Sequence, residues 1–230
     1  MQKRRILVFG DSNSWGWIPR PDMEPTTRYD AATRWPRVLA ARLGDSIEIL
    51  EEALSGRTTD LDDPALDVPA AALKGATMNG ARVFPAILAS HLPLDLVIIM
   101  LGTNDLKSHF DRQPADVASA LLGLARLVKE CEGGIRTMYA TPRILLIAPP
   151  PLGTTFHDPE QWTGAHQKSL ALGPAVEQAA AAASEVPVPV LDAGRILRID
   201  GVDGVHLTAE AHQRLGEAVA EKVRTLLETG

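Results

Sequence analysis

The sequence predicts an α/β protein, a three-layer α/β/α sandwich around a mostly parallel five-stranded sheet. Two observations carry that expectation. Short β-branched runs alternate with helical patterns along the chain, the arrangement that builds a parallel sheet covered on both faces. The third of these runs, "DLVIIML" from Asp95 to Leu101, is apolar almost throughout, as a strand must be when helices cover both its faces.

The strands are expected at Arg5–Phe9, Ile47–Leu50, Asp95–Leu101, Arg143–Ala148 and Val188–Asp192. Between the first two, "TRWPRVLAARLG" places Trp35, Val38, Leu39 and Leu43 on one helical face, and Gly44 ends it. "PADVASALLGLARLVKEC" does the same with Val117, Leu121, Leu124, Ala125 and Val128. The last helix runs from Thr208, its N-cap, to Leu227, with Ala211, Leu215, Val219, Val223 and Leu226 on its apolar face. Arg57–Asn79, Pro149–Gly164 and Ile199–Leu207 are rich in Asp, Pro, Gly and Thr and read as long loops. Long loops in a compact domain are usually functional, and open α/β sheets hold their ligands at the carboxyl ends of the strands. No repeat or linker divides the chain, so residues 1–230 are expected to form one domain.

Bulk properties narrow the classes of partner. With 45% hydrophobic and 23% charged residues the chain has an ordinary globular composition. A formal charge of −6 without any basic block argues against nucleic acid or an anionic membrane surface. The basic start, Met1 to Arg5, leads into too short an apolar run for a signal peptide. No run approaches the roughly 18 apolar residues of a membrane span. The lone Cys131, inside a helical pattern, reads as a reduced core residue, and a cytoplasmic location is expected.

The chemistry is expected where strands end. The first strand breaks into "GDSNSWGW", more than a plain turn requires. Ser12 there is a poor nucleophile unless a base takes its proton. Of six histidines, His206 stands apart because Asp203 precedes it by one turn in "DGVDGVHLT". An aspartate folded back onto one imidazole nitrogen leaves the other free to accept a hydroxyl proton. Acyl transfer also needs donors for the developing oxyanion. Gly56 in "SGRT", the side-chain amide of Asn104 in "GTND" and the N–H of Ser12 are the candidates, each just past a strand. His91, His109, His157, His166 and His212 read as surface or packing residues.

"FGDS", Gly56 after the second strand, "GTND" and "DGVH" together resemble the sequence blocks of the SGNH (GDSL) hydrolases, most closely the arylesterase and acyltransferase branch, across nearly the whole chain. The resemblance implies a flavodoxin-like SGNH sandwich, a Ser12–His206–Asp203 triad and an oxyanion hole of Ser12, Gly56 and Asn104. It further implies no metal or cofactor, a short-chain ester as small-molecule substrate, acyl transfer to alcohols or peroxide in water, and a ring-like homo-octamer. Deacetylation of sugars or other small metabolites with the same triad is the alternative. The length of the proline-punctuated segment from Arg57 to Leu94 adds a motive for an oligomer.

Asn13 stands where the GDSL name puts leucine, so it is expected to shape the substrate pocket. Trp17, Ser55, Thr103, Lys107 and Val205 are the other candidates for contact with substrate, and Asp11 is a candidate whose first task is fixing the turn. Trp15 could wall the ester site or pack beneath the loop. Lys107 could edge the pocket or stand solvated. The acidic "DLDDP" at residues 60 to 64 lacks the ligand alternation of a calcium loop and reads as a solvated turn or a subunit contact.

Overall fold

The computed structural model describes residues 3–22, 25–66, 73–131, 133–183, 188–199 and 202–228. Five strands form one sheet: β1 Arg4–Gly10, β2 Ile47–Ala53, β3 Leu96–Met100, β4 Arg143–Ala148 and β5 Val190–Asp192. Their order is β2-β1-β3-β4-β5, and all four pairings are parallel. β1 therefore lies between β2 and β3, with Gly10 level with Ala53 on one side and Met100 on the other. The chain leaves β1, β2 and β3 at one edge, and the loops that follow begin side by side.

Helices cover both faces. The α-helices are α1 Ser12–Trp15, α2 Trp35–Leu43, α3 Gly75–Met78, α4 Gly80–His91, α5 Pro114–Glu130, α6 Ala165–Ala182 and α7 Ala209–Glu228. The odd positions of β1, Leu7 and Phe9, pack with Phe84 and Leu88 of α4, Val117 and Leu121 of α5, and Leu172 and Val176 of α6. The even positions, Ile6 and Val8, pack with Trp35 and Leu39 of α2 and Leu215 and Val219 of α7. The two-residue period of the strand thus divides its side chains between two cores. α7 lies close against α2 because Gly216 leaves room; a Cβ there would stand 2.6 Å from Cβ of Val38.

Several boundaries differ from the sequence reading. β2 runs on to Ala53, β3 is one residue shorter at each end, and β5 starts at Val190. Part of the supposed surplus between Arg57 and Leu94 is helical: α4 is capped by the Asn79 side chain on the Arg82 N–H at 3.1 Å and buries Phe84 and Leu88. α6, which the pattern did not announce, continues through Pro174 because Leu172, Val176 and Ala180 are buried. Cys131 stands half-buried just past α5 rather than in the core. No helix among the described residues is long and apolar enough to cross a membrane.

Candidate active site

The turn after β1 is built around Asp11. Its carboxylate accepts the Asn13 N–H at 2.9 Å and caps the single-turn helix α1, whose first residue is Ser12. Gly16 closes that turn in the left-handed region at φ 95°. The capping carboxylate is buried, and burial pushes it up to about 6, against the Asn13 N–H and the charges of His206 and Arg57.

Asp203 organises the loop before α7 in the same way. One oxygen accepts the N–H groups of Val205 and His206 at 2.9 and 2.8 Å, and the other meets His206 Nδ1 at 2.7 Å. Burial disfavours the charged carboxylate, but the imidazole and the two N–H donors outweigh it and hold its pKa below the usual range. With a carboxylate accepting at Nδ1, His206 Nε2 is the acceptor that faces Ser12 Oγ, 3.0 Å away. Thr208 Oγ1 then receives the Ala211 N–H at 3.3 Å and starts α7.

Asn13 joins the two turns. Its Nδ2 donates to the Val205 carbonyl at 3.2 Å and its Oδ1 accepts the Leu207 N–H at 3.0 Å. A peptide group bonds a parallel neighbour in this way, so the carboxamide acts as a one-residue strand beside His206. Asn13, Asp11 and Thr103, expected at the substrate, are buried and are not among the residues lining the cavity described below. In each of the two described turns, capping or clasping directs the polar side chain inward.

Behind β2, the Leu54 N–H bonds the Gly10 carbonyl at 3.1 Å and the Arg57 N–H bonds the Leu54 carbonyl at 3.2 Å. Gly56 lies between them at φ +85°, a conformation that side chains rarely adopt. Asn104, in the 3₁₀ turn Asn104–Leu106, donates from Nδ2 to the Arg57 carbonyl at 3.1 Å, which fixes the carboxamide plane. Next to it, buried Asp105 accepts the Thr59 N–H at 3.0 Å.

Ser12, His206, Gly56 and Asn104 share one cavity of about 580 Å³. Trp17, Leu66, Met78, Trp162 and Val205 give it apolar surface, Ser55 and Lys107 line it too, and exposed Asp22 and Asp158 mark its open side. The Trp17 ring lies nearly parallel to His206, 21° apart with centroids at 5.1 Å. Trp15 does not line the cavity; the Arg28 guanidinium lies 5.5 Å from its ring centroid.

Lys107 is neither solvated nor free. It is buried and pairs at 2.9 Å with Asp63, whose side chain is wholly buried. "DLDDP" is therefore not simply a solvated turn, since Asp63 points inward and also meets His109 at 3.2 Å. His91 likewise has an acidic partner, Glu52 at 2.7 Å. Leu66, Met78 and His157 are cavity residues that site reasoning on strand ends did not find. For His157 the signal was the length of the loop after β4.

The model of the GDSL-like lipase/acylhydrolase family matches residues 8–214. Among solved structures, the native aryl esterase of M. smegmatis is 44% identical over 97% of this chain and 99% of its own, with a TM-score of 0.89. A carbohydrate acetylesterase from Sinorhizobium meliloti is 46% identical over 97% and 100%, with a TM-score of 0.88. A carbohydrate acetylesterase family member from the same organism is 32% identical over 98% and 99%, with a TM-score of 0.84. No curated protein matches the chain.

Proposed function

The chain belongs to the GDSL-like lipase/acylhydrolase family and is a carboxylic ester hydrolase, and we propose that it cleaves short acyl esters through an acyl-Ser12 intermediate. The observation that carries this reading is the unbroken line Asp203–His206–Ser12, with contacts of 2.7 and 3.0 Å, that opens on the cavity.

In this reading Ser12 Oγ attacks the ester carbonyl carbon while its proton passes to His206 Nε2. Asp203 holds the imidazole in the tautomer that can accept it and stabilises the imidazolium. The carbonyl oxygen becomes an oxyanion facing the N–H groups of Ser12 and Gly56 and the free N–H of Asn104. Collapse breaks the bond to the leaving oxygen, which takes the proton from His206. A second nucleophile, deprotonated by the same imidazole, then releases the acyl group.

The second nucleophile need not be water. Water is present at about 55 M, so an alcohol competes only where the site concentrates it or restricts water. Trp17 against His206, and Trp162 stacked on Phe156 at 5.9 Å, support such a site. We therefore propose acyl transfer to alcohols beside hydrolysis. Vinyl acetate and benzyl alcohol in buffer test it: benzyl acetate should exceed the share set by the molar ratio to water, and a product ratio equal to that share refutes it.

A second reading, removal of acetyl groups from carbohydrates, is favoured by the 46% identity to a carbohydrate acetylesterase and by the polar cavity residues Arg20, Asp22, His157, Asp158 and Gln161. A panel of aryl, alkyl and sugar acetates separates the two by kcat/KM. A homo-oligomer, an octamer by the resemblance, and a cytoplasmic location belong to the same proposal; a stable monomer at micromolar concentration in light scattering would refute the assembly.

A further inference from the structure

We propose that Arg57 is the positioning residue of the oxyanion hole, tying the turns that bear its three donors to one another. The inference rests on the oxyanion reading given above and concerns a side chain with no place in that mechanism.

Arg57 is 4% exposed. Its Nη1 donates to the carbonyl of Gly10 at 3.0 Å and to that of Glu52 at 2.6 Å. These carbonyls lie at the carboxyl ends of β1 and β2, and Gly10 is two residues before Ser12. The guanidinium lies against Phe9, with Cζ 4.3 Å from the ring centroid. The residue's own backbone directly follows Gly56, and its carbonyl receives the Asn104 amide at 3.1 Å. One residue therefore touches the segments of all three donors: β1 before Ser12, the turn at Gly56, and Asn104 itself.

The chemistry of the guanidinium suits this task. It is planar, carries donors fixed in a fork and tolerates burial better than an ammonium. Its bonds to main-chain carbonyls are charge-assisted. Gly56, which has no Cβ and stands at φ +85°, leaves that turn conformational freedom of its own. A side chain anchored to two strand ends removes that freedom, which matters because oxyanion donors must already stand where charge develops. Arg57 does not line the cavity, so it acts through Gly56 and Asn104 rather than on the substrate.

The test is kinetic. R57K keeps the charge but loses the planar fork. It should fold, with a melting temperature near that of the parent, and lose roughly ten- to a hundredfold in kcat with KM within about twofold, as expected when only transition-state interactions are weakened. Affinity for phenylboronic acid, whose tetrahedral adduct on Ser12 places an oxygen in the hole, should fall in parallel with kcat. In an N104A background R57K should cost only about threefold more, because the two act on one feature. R57M provides the second variant and should show the same pattern more strongly. An unchanged kcat in folded R57K, a rise in KM that accounts for the loss, or full additivity with N104A would overturn the inference. N104A alone separates the two claims: if it keeps its kcat, the oxyanion reading fails, whereas loss in N104A without loss in R57K removes only Arg57.

Discussion

The carboxamide of Asn13 brackets His206, bonding the Val205 carbonyl on one side of it and the Leu207 N–H on the other. Because Asn13 directly follows Ser12, the distance between nucleophile and base is set through this short ring of contacts. Only a primary amide supplies both the donor and the acceptor that the backbone requires. Asn13→Leu, the residue of the GDSL name, should fold but lower kcat about three- to thirtyfold through a less defined Ser12–His206 contact. Asn13→Asp keeps the acceptor yet sets a carboxylate oxygen against the Val205 carbonyl, and should lose more. Steady-state kinetics with p-nitrophenyl acetate measure both; parental kcat in the two variants would detach Asn13 from the base.

Lys107 and Asp63 form a buried pair, with side chains 4% and 0% exposed. Removing one member of such a pair leaves a buried charge uncompensated and costs about 3–5 kcal/mol. Lys107→Met should therefore destabilise by about 3 kcal/mol, and Asp63→Asn added to it should restore part of the loss. Urea unfolding of the two variants measures this. A single variant as stable as the parent would show the pair to be neutral.

His212 supplies a pH dependence of known sign. It is wholly buried, its Nδ1 accepts the Trp35 N–H at 3.3 Å, and burial with the nearby charges of Arg34 and His206 holds its pKa down to about 3 from 6.5. The unfolded chain takes up this proton below about 6.5 while the folded chain does not, so the stability it contributes is lost as pH falls from 6.5 towards 3. Burial acts oppositely on Asp11 and Asp105, both raised to about 6 from 3.8, so their contribution increases as pH falls from 6 to 4. Between those limits, His212→Asn should change the slope of unfolding free energy by one proton, about 1.4 kcal/mol per pH unit, towards greater stability at low pH. Asp105→Asn should change it by one proton the other way. Equal slopes in parent and variants would refute these assignments.

Trp17 lies against the base, its ring centroid 5.1 Å from that of His206. Trp17→Ala opens that side of the cavity to water and should lower the ratio of benzyl acetate to acetic acid more than it lowers total turnover. Equal losses in both would remove Trp17 from the choice of acceptor.

Much of this architecture was legible in local pattern. β1 and β3 carry apolar runs that only a sheet covered on both faces accommodates, and Ser12, Gly56, Asn104 and His206 all fall just past strands or before the last helix. α4 and α6 were not legible. Pro85 and Pro174 lie inside them, and the local cost of proline is offset by contacts with residues distant in sequence, such as Phe84 on Phe9 at 4.4 Å. The direction of side chains in turns was equally hidden. Asp11 and Asn13 are as polar as any substrate contact, yet one caps its own helix and the other pairs with the loop before α7, nearly the whole chain away. The pairing of Lys107 was hidden as well, because Asp63, its partner, lies in a loop whose fold no periodicity announces.

The most direct test of the central claim is the intact mass of the protein after reaction with a fluorophosphonate, with the modified peptide located by fragmentation. One phosphonyl group should attach to Ser12, its rate of attachment should fall by orders of magnitude in Asp203→Asn, and Ser12→Ala should show neither adduct nor turnover. An adduct at any other residue, or an active Ser12→Ala protein, would contradict the account.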